Sequence, residues 1–124
     1  MPFFEFRQNN SGGGFDFQPD AGISVHVIVE ADDAAEANQR AEAIGLYFDG
    51  VDKGWDCGCC GDRWYEAWAN EGDDVPSIYG TPLDDYEPTI YWMKDGAPNA
   101  YVHYKDGRVV PALKGPRSVR KERW

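Results

Sequence analysis

The sequence has no long apolar run and no basic-then-apolar start, and it contains only three cysteines. No stretch is therefore long enough to span a bilayer, and none resembles a signal peptide. We expect no membrane association and a cytoplasmic location. Thiols stay reduced in that compartment, and an odd number leaves one unpaired in any case. Cys57, Cys59 and Cys60 are therefore expected to be free or metal-bound rather than bridged.

Motifs typical of enzymes are also missing. The chain has no serine, histidine and acid set around a nucleophile, no Walker or dinucleotide loop, and no spaced carboxylate pair typical of acid–base catalysis. Its only histidines, His26 and His103, lie in predicted strands among apolar neighbours. A half-buried, hydrogen-bonded role is the default for such histidines. The sequence thus favours a binding protein over an enzyme.

Basic residues are few, and they are unevenly placed. The chain has 12 Lys and Arg against 22 Asp and Glu, a net charge of −10. Residues 111–124 carry a net charge of +4, which leaves −14 for residues 1–110. An acidic body repels nucleic acid and anionic lipids at long range, so direct nucleic-acid binding is not expected. The acidity either gives solubility or mimics the charge of DNA.

The length of 124 residues and the 42% hydrophobic content are typical of one domain with its own core. The pattern predicts an α+β fold: a small, mostly antiparallel sheet with one α-helix packed on a face, plus a cysteine-containing loop. We assign residues 1–110 to this single domain. Residues 111–124 are expected to form a mobile basic tail.

Alternating apolar residues predict several short strands. The first covers residues 3–7, with Phe4 and Phe6 on one face, and is expected to form a hairpin with residues 15–17. The clearest strand covers residues 23–29, with its odd-numbered apolar side chains on one side. Further strands are expected at residues 46–48, 64–68, 89–93, 100–104 and 108–110, and a surface loop at residues 69–88.

One helix is predicted directly after the second strand. Asp33 can cap it, and Glu36 stands three residues later, as a capping box requires. Glu36 and Arg40 are spaced for an ion pair along the helix, and Gly45 can end it with a left-handed residue. The stripe that should face the sheet consists of Ala34, Ala37, Ala41 and Ile44.

The cysteines form the pattern C-x-x-C-G at residues 57–61, which is typical of the knuckle turn that grips zinc. Zinc prefers four ligands, and no second pair of this kind follows. Cys57 and Cys60 would therefore need partners from Cys59, His26, His103, Asp52 or Asp56. Three interpretations stay open: a zinc site within one chain, a site completed across a dimer, and a metal-free loop that buries its thiols. Redox-active dithiols have the same C-x-x-C spacing. However, no predicted helix N-terminus follows the motif, so none is expected to lower the pKa of a thiol.

Two further segments carry candidate ligand contacts. The polar loop after the first strand gathers Arg7, Gln8, Asn9, Asn10 and Ser11 beside glycines that expose backbone N–H groups. Such a loop can cradle a phosphate or the edge of a purine. The alternative is a hairpin loop that hydrogen-bonds only to itself.

The second segment follows the cysteines and contains Asp62, Arg63, Trp64 and Tyr65. An arginine beside two aromatic side chains can pair with a phosphate and stack on a base. Trp64 and Tyr65 can equally belong to the core, because a chain with 18 aromatic residues must pack most of them inside.

The chain resembles a family of small uncharacterised proteins from tailed phages of many hosts. The resemblance rests on FFEFRQNNSGG at residues 3–13, LYFDGV at residues 46–51, DCGCCGDRWY at residues 56–65 and YVHYKDG at residues 101–107. Family members usually have proline where this chain has Gly58, which loosens the knuckle turn. The resemblance covers most of residues 3–107 and brings no established activity.

The resemblance implies a context, because small phage proteins often act on the host. It implies a non-enzymatic protein of the host cytoplasm that sequesters a nucleotide-like defence signal and assembles as a homo-oligomer. Arg7, Asn9, Asn10 and Arg63 would contact phosphates or base edges, Trp64 and Tyr104 would stack, and Lys105 adds a charge. The alternatives are an acidic inhibitor of a host protein, for example one that binds DNA, and a small zinc-stabilised structural protein.

Overall fold

A computed structural model describes residues 2–9, 16–85 and 98–114. The predicted strand at residues 89–93 and the last ten residues of the predicted tail lie outside the described residues. Asn10 and Ser11, two of the expected ligand contacts, also lie outside them. Residue 15 of the predicted hairpin and residues 86–88 of the predicted surface loop lie outside them as well.

The described chain is an α+β fold with one α-helix and a four-stranded sheet, as predicted. The sheet has the order β1-β2-β5-β6, in which β1 and β2 are antiparallel, β2 and β5 are parallel, and β5 and β6 are antiparallel. The elements in chain order are β1 (Phe3–Arg7), β2 (His26–Glu30), α1 (Ala34–Ile44), β3 (Ser77–Ile78), β4 (Thr81–Pro82), β5 (Pro98–His103) and β6 (Val109–Lys114).

The partner of β1 differs from the prediction. β1 pairs with β2, with Phe6 opposite Val27, and not with residues 16–17 of the expected hairpin. Residues 16–17 lie outside any strand, and the next residue, Gln18, forms an isolated bridge with Ile23. The register explains the choice, because it stacks the apolar faces of two well-alternating strands on the same side of the sheet.

The helix follows the prediction closely. The carboxylate of Asp33 accepts the backbone N–H of Glu36 at 2.8 Å, and the Glu36 carboxylate accepts the N–H of Asp32 at 2.6 Å. Gly45 ends the helix with φ of 130° and donates to the carbonyls of Ala41 and Glu42. The stripe contacts the sheet through Ala34, Ala37 and Ala41, which are buried, and Ile44, which is partly buried.

Both faces of the sheet are covered. On one face, α1 and the loop after it cover Phe4, Phe6, Val27 and Val29. On the other face, Ile78 of β3 packs with Phe3, Ile28 and Val102. Burial on two sides explains why Val27, Ile28 and Val29 of β2 are apolar in succession, which alternation alone does not predict.

Several local predictions are wrong. Residues 46–48 and 64–68 form no strand, although Leu46, Phe48 and Trp64 are buried. These segments are apolar because they pack against the helix face of the sheet. The backbone of Leu46 bonds to the helix carbonyl of Ala41, and that of Ala67 and Trp68 to side chains, rather than to a neighbouring strand. β6 runs to Lys114, so residues 111–114, expected in the tail, pair with β5.

Arg40 does not pair with Glu36 as predicted. Its guanidinium donates to the backbone carbonyls of Glu30 and Tyr104, at 3.0 Å for Tyr104. Glu36 instead lies 3.3 Å from the ammonium group of Lys105. The helix is thus tied to the ends of β2 and β5, which a pairing within the helix would not achieve.

Candidate functional site

Asn9 joins the end of β1 to the cysteine loop. Its backbone N–H donates to Arg63 O at 2.8 Å, and its side-chain amide donates to Cys60 O at 2.8 Å and Asp62 O at 3.2 Å. The two sequence motifs are therefore brought together across more than fifty residues. The Asn9 amide group is engaged in holding the loop.

Gln8 is a structural residue. Its side chain is fully buried. The amide nitrogen donates to Asp16 O at 3.0 Å and Ser24 O at 3.1 Å, while the amide oxygen accepts Asp16 N and the Arg63 guanidinium, the latter at 2.7 Å. The predicted ligand contact is thus satisfied by the protein itself.

Arg63 also faces inward. Its backbone N–H donates to the Asp56 carboxylate at 2.8 Å, and its guanidinium lies 3.9 Å from the same carboxylate. Asp56, whose side chain is only 1% exposed, also accepts the Tyr47 hydroxyl at 2.7 Å. Burial and this hydrogen bond raise the pKa of Tyr47. The network of Gln8, Arg63, Asp56 and Tyr47 fixes the cysteine loop against the sheet.

The remaining predicted contacts are scattered. Trp64 is 1% exposed and belongs to the core, so it is not placed to stack on a ligand. Asp62 accepts the N–H of Val51 at 2.8 Å and shapes the loop. Tyr104 lies under the Arg108 guanidinium, and Lys105 pairs with Asp32 at 2.8 Å. These last two residues lie near the Phe3–Glu30 end of the sheet, whereas Arg7 ends β1 at the opposite end.

Arg7 lines a surface groove that the sequence did not predict. Its guanidinium lies 5.5 Å from the ring centre of Tyr79. Two adjoining clefts of about 280 and 400 Å³ share Glu5, Arg7, Glu71 and Tyr79. The groove, as we call these two clefts together, is also lined by Asn9, Tyr65, Glu66, Trp68, Asn70, Gly72, Asp73 and Gly80.

The groove is aromatic and acidic. Tyr65, Trp68 and Tyr79 are 56%, 71% and 67% exposed, although large aromatic side chains are usually buried. Four carboxylates line it against the one guanidinium of Arg7. Those of Glu5 and Glu71 accept backbone N–H groups of Tyr79 and Trp68, at 3.0 and 2.7 Å, which holds the aromatic residues in place.

Sequence reasoning missed Trp68 because it lies in the segment predicted as a strand at residues 64–68. It missed Glu71 and Tyr79 because residues 69–88, which are rich in Asp, Gly and Pro, indicate only a surface loop. Tyr79 has φ of 52°, in the left-handed region that side chains rarely adopt. The short β3–β4 turn imposes this conformation. The conformation marks Tyr79 as unusual, but it can be seen only in the folded backbone and not in the sequence.

The three cysteines form an exposed thiol cluster. The sulfurs of Cys57 and Cys59 lie 2.8 Å apart, those of Cys59 and Cys60 lie 3.8 Å apart, and all three lie within 4.8 Å of one another. Hydrogen bonds from the Cys59 thiol and from the backbone of Cys59 and Cys60 lower the pKa of Cys57 to about 7. The same thiol contacts raise the pKa of Cys59 to about 11.

The three sulfurs lie close enough to one another to hold a metal ion. The turn is closed by N–H groups of Cys60 and Gly61, which donate to Cys57 O at 3.2 and 3.1 Å, and Gly61 has φ of 88°. All three thiols are exposed, so the interpretation of a loop that buries its thiols is wrong.

The match to a family model spans residues 1–118, nearly the whole chain. The chain belongs to the family described as Domain of unknown function (DUF7296). No curated protein and no solved structure matched the chain. The DUF7296 match covers β1, the cysteine loop and the groove together, so these features belong to one family unit. In the described part of this DUF7296 chain, no helix has the length and apolar character needed to cross a membrane.

The groove and the thiol cluster of this DUF7296 domain adjoin. A methyl group placed on Gly61 would lie 3.1 Å from the Tyr65 hydroxyl and 3.5 Å from the Asn9 amide nitrogen, and both of these side chains line the groove. A ligand in the groove and a metal at the cysteines would therefore be neighbours.

Proposed function

We propose that the protein is a non-enzymatic binding protein that contacts its partner through the groove. The observation that carries this proposal is the set of three exposed aromatic side chains, Tyr65, Trp68 and Tyr79, that line the groove beside acidic residues. Exposed Tyr and Trp are typical of interaction sites, where they supply large contact areas at low cost in side-chain entropy.

The charge of the groove favours a protein partner with a basic segment. Four carboxylates repel phosphates and attract lysine and arginine, and aromatic faces bind such cations at close range. The net charge of −14 on residues 1–110 extends the same attraction to longer distances. In the phage context that the resemblance implies, the partner would be a host protein, and the role would be inhibition.

Binding of an arginine- and lysine-rich peptide panel, measured by fluorescence anisotropy, tests this role. Trp68→Ala should weaken binding by about tenfold or more, as for a central aromatic contact. Trp55→Ala is the matched control, because Trp55 is 63% exposed but lies outside the groove. Binding should also weaken as salt rises to a few hundred millimolar. Equal effects of the two variants would contradict the proposal.

A nucleotide-like ligand is the second candidate, and Arg7 favours it. Among the described residues, no carboxylate lies within ion-pair distance of Arg7, so its guanidinium can pair with a phosphate while a base stacks on an exposed ring. Calorimetry with cyclic dinucleotides and ADP-ribose derivatives tests this role, with Arg7→Gln expected to abolish the heat. Native mass spectrometry would report the number of protomers and of bound ligands in each homo-oligomer.

We also propose that the metal at the thiol cluster is zinc. Thiolates select zinc among the abundant divalent ions, and the C-x-x-C-G turn is the form in which zinc sites commonly present two of them. Elemental analysis of protein purified under reducing conditions should find about one zinc per chain. A zinc content that is unchanged in Cys60→Ser would contradict the proposal.

A further inference from the structure

Of the other ligands expected from the sequence, His26, His103 and Asp56 are occupied elsewhere, and Asp52 lies outside the group of metal-ligating side chains at the loop. His26 Nδ1 lies 2.9 Å from the Glu5 carboxylate, and His103 Nε2 lies 2.8 Å from Gly22 O; both histidines are buried. Asp56 accepts Tyr47 and Arg63. In the described ranges, the group of metal-ligating side chains at the loop contains only the three cysteines.

The sulfur positions suit a site with one ligand missing. Four ligands at about 2.3 Å in a tetrahedron place sulfurs about 3.8 Å apart. The separation of Cys59 and Cys60 is 3.8 Å. The pair Cys57 and Cys59, at 2.8 Å, must open by about 1 Å. The exposed loop can make this adjustment without disturbing the core, because none of its sulfurs packs inside.

We propose that Cys57, Cys59 and Cys60 form an open zinc site, in which three thiolates hold the ion and the fourth position exchanges with ligands from outside the chain. This inference rests on the proposed zinc at the cluster and goes beyond it, because a structural zinc site is closed by four protein ligands whereas a site with three keeps a position for water or an added donor.

The outside ligand is a nitrogen or sulfur donor, of which imidazole is the simplest form. Borderline and soft donors of this kind compete best for zinc that already carries thiolates. The groove adjoins the loop through Asn9 and Tyr65. A partner lying in the groove can thus present a histidine or cysteine to the metal, so that metal and groove bind the same partner.

Cobalt(II) substitution of the reduced full-length chain tests the inference under anaerobic conditions. Tetrahedral cobalt with thiolate ligands absorbs strongly in the visible range, and its spectrum reports a change of ligand. We expect one cobalt per chain and a saturable spectral shift when imidazole is added. Each of the variants Cys57→Ser, Cys59→Ser and Cys60→Ser should weaken cobalt binding by more than about 100-fold, since loss of outer-shell support alone costs 10–100-fold.

Asp52→Asn is the matched control, because Asp52 lies in the same exposed loop but outside the cluster, and its cobalt spectrum should be unchanged. Circular dichroism of each variant checks that the fold is kept. A chain that binds no cobalt would overturn both the zinc and the open site. Cobalt that binds with a spectrum insensitive to imidazole, or at one ion per two chains, would overturn the open site and leave the zinc.

Discussion

At the scale of single residues, Gln8 supports the fold although its sequence context suggests a ligand contact. Its buried amide connects Asp16, Ser24 and Arg63. We expect Gln8→Ala to lower the free energy of unfolding by about 2–4 kcal/mol, because several bonds worth about 1 kcal/mol each are lost and their buried partners stay unpaired. Urea unfolding followed by circular dichroism measures the change.

Gln18→Ala is the matched control for this prediction. Gln18 is exposed, and its amide donates to the Asp16 carboxylate at 2.6 Å, where water can replace it. Its loss should change the free energy of unfolding by no more than about 0.5 kcal/mol. Equal losses in the two variants would show that Gln8 is not a structural residue of the kind described.

We expect the free energy of unfolding to depend on pH because of His103. Burial lowers its pKa in the folded chain, and nearby Arg40 acts in the same direction. As the pH falls below about 6.5, the unfolded chain therefore binds the proton first, and stability declines by at most about 1.4 kcal/mol per pH unit until the lowered pKa is passed. The stability advantage of wild type over His103→Gln should shrink between pH values of about 7.5 and 5.5. A constant advantage would contradict this prediction.

At the scale of elements, the helix has a cap that can be tested by itself. Asp33→Ala removes the carboxylate that accepts Glu36 N, and we expect a loss of about 1 kcal/mol in the free energy of unfolding. Glu42→Ala removes an exposed acid near the other end of α1, where negative charge is unfavourable, and should be neutral or stabilising by a few tenths of a kcal/mol. Thermal and urea unfolding of the pair measures both changes. Equal destabilisation would exclude capping as the cause.

Part of the secondary structure and of the strand pairing can be predicted from the sequence. α1, the strand cores of β1 and β2 and the β5–β6 hairpin follow from local periodicity and turn residues. The partner of β1 does not, because alternation defines faces but not neighbours. The long loop after α1 is ordered by contacts such as Asn38 with the backbone of Ala67, at 2.7 and 3.2 Å. Single side-chain hydrogen bonds of this kind leave no periodic pattern in the sequence. The apolar residues of the loop were therefore predicted as strands.

At the scale of the whole molecule, the candidate site is assembled from distant segments. The sequence motifs around Asn9 and Asp62 do meet, as a shared site would require. Their polar groups largely hold each other, however, and the exposed aromatic residues of the groove come from the segment around Trp68 and from the β3–β4 turn. Composition shows that aromatic residues are many, but only the tertiary structure shows which of them stay outside.

The charge of the whole molecule leads to a last prediction. Residues 1–110 carry −14, and like charges repel across a compact domain within the screening length of about 10 Å at 0.1 M salt. At a pH of about 7.5, the Tm should therefore rise as sodium chloride increases from roughly 20 to 300 mM. At pH 4.5, near the pI of about 4.5, the rise should nearly vanish.

The opposing effect is the weakening of exposed ion pairs such as Lys105 with Asp32, and it is small because such pairs contribute at most about 1 kcal/mol. Sucrose at matched osmolarity is the control, since it stabilises compact states without screening charge. A Tm that falls with salt at the higher pH would mean that ion pairs outweigh the repulsion. The acidic groove would then be part of a surface with balanced charges, and it would not attract basic partners at long range.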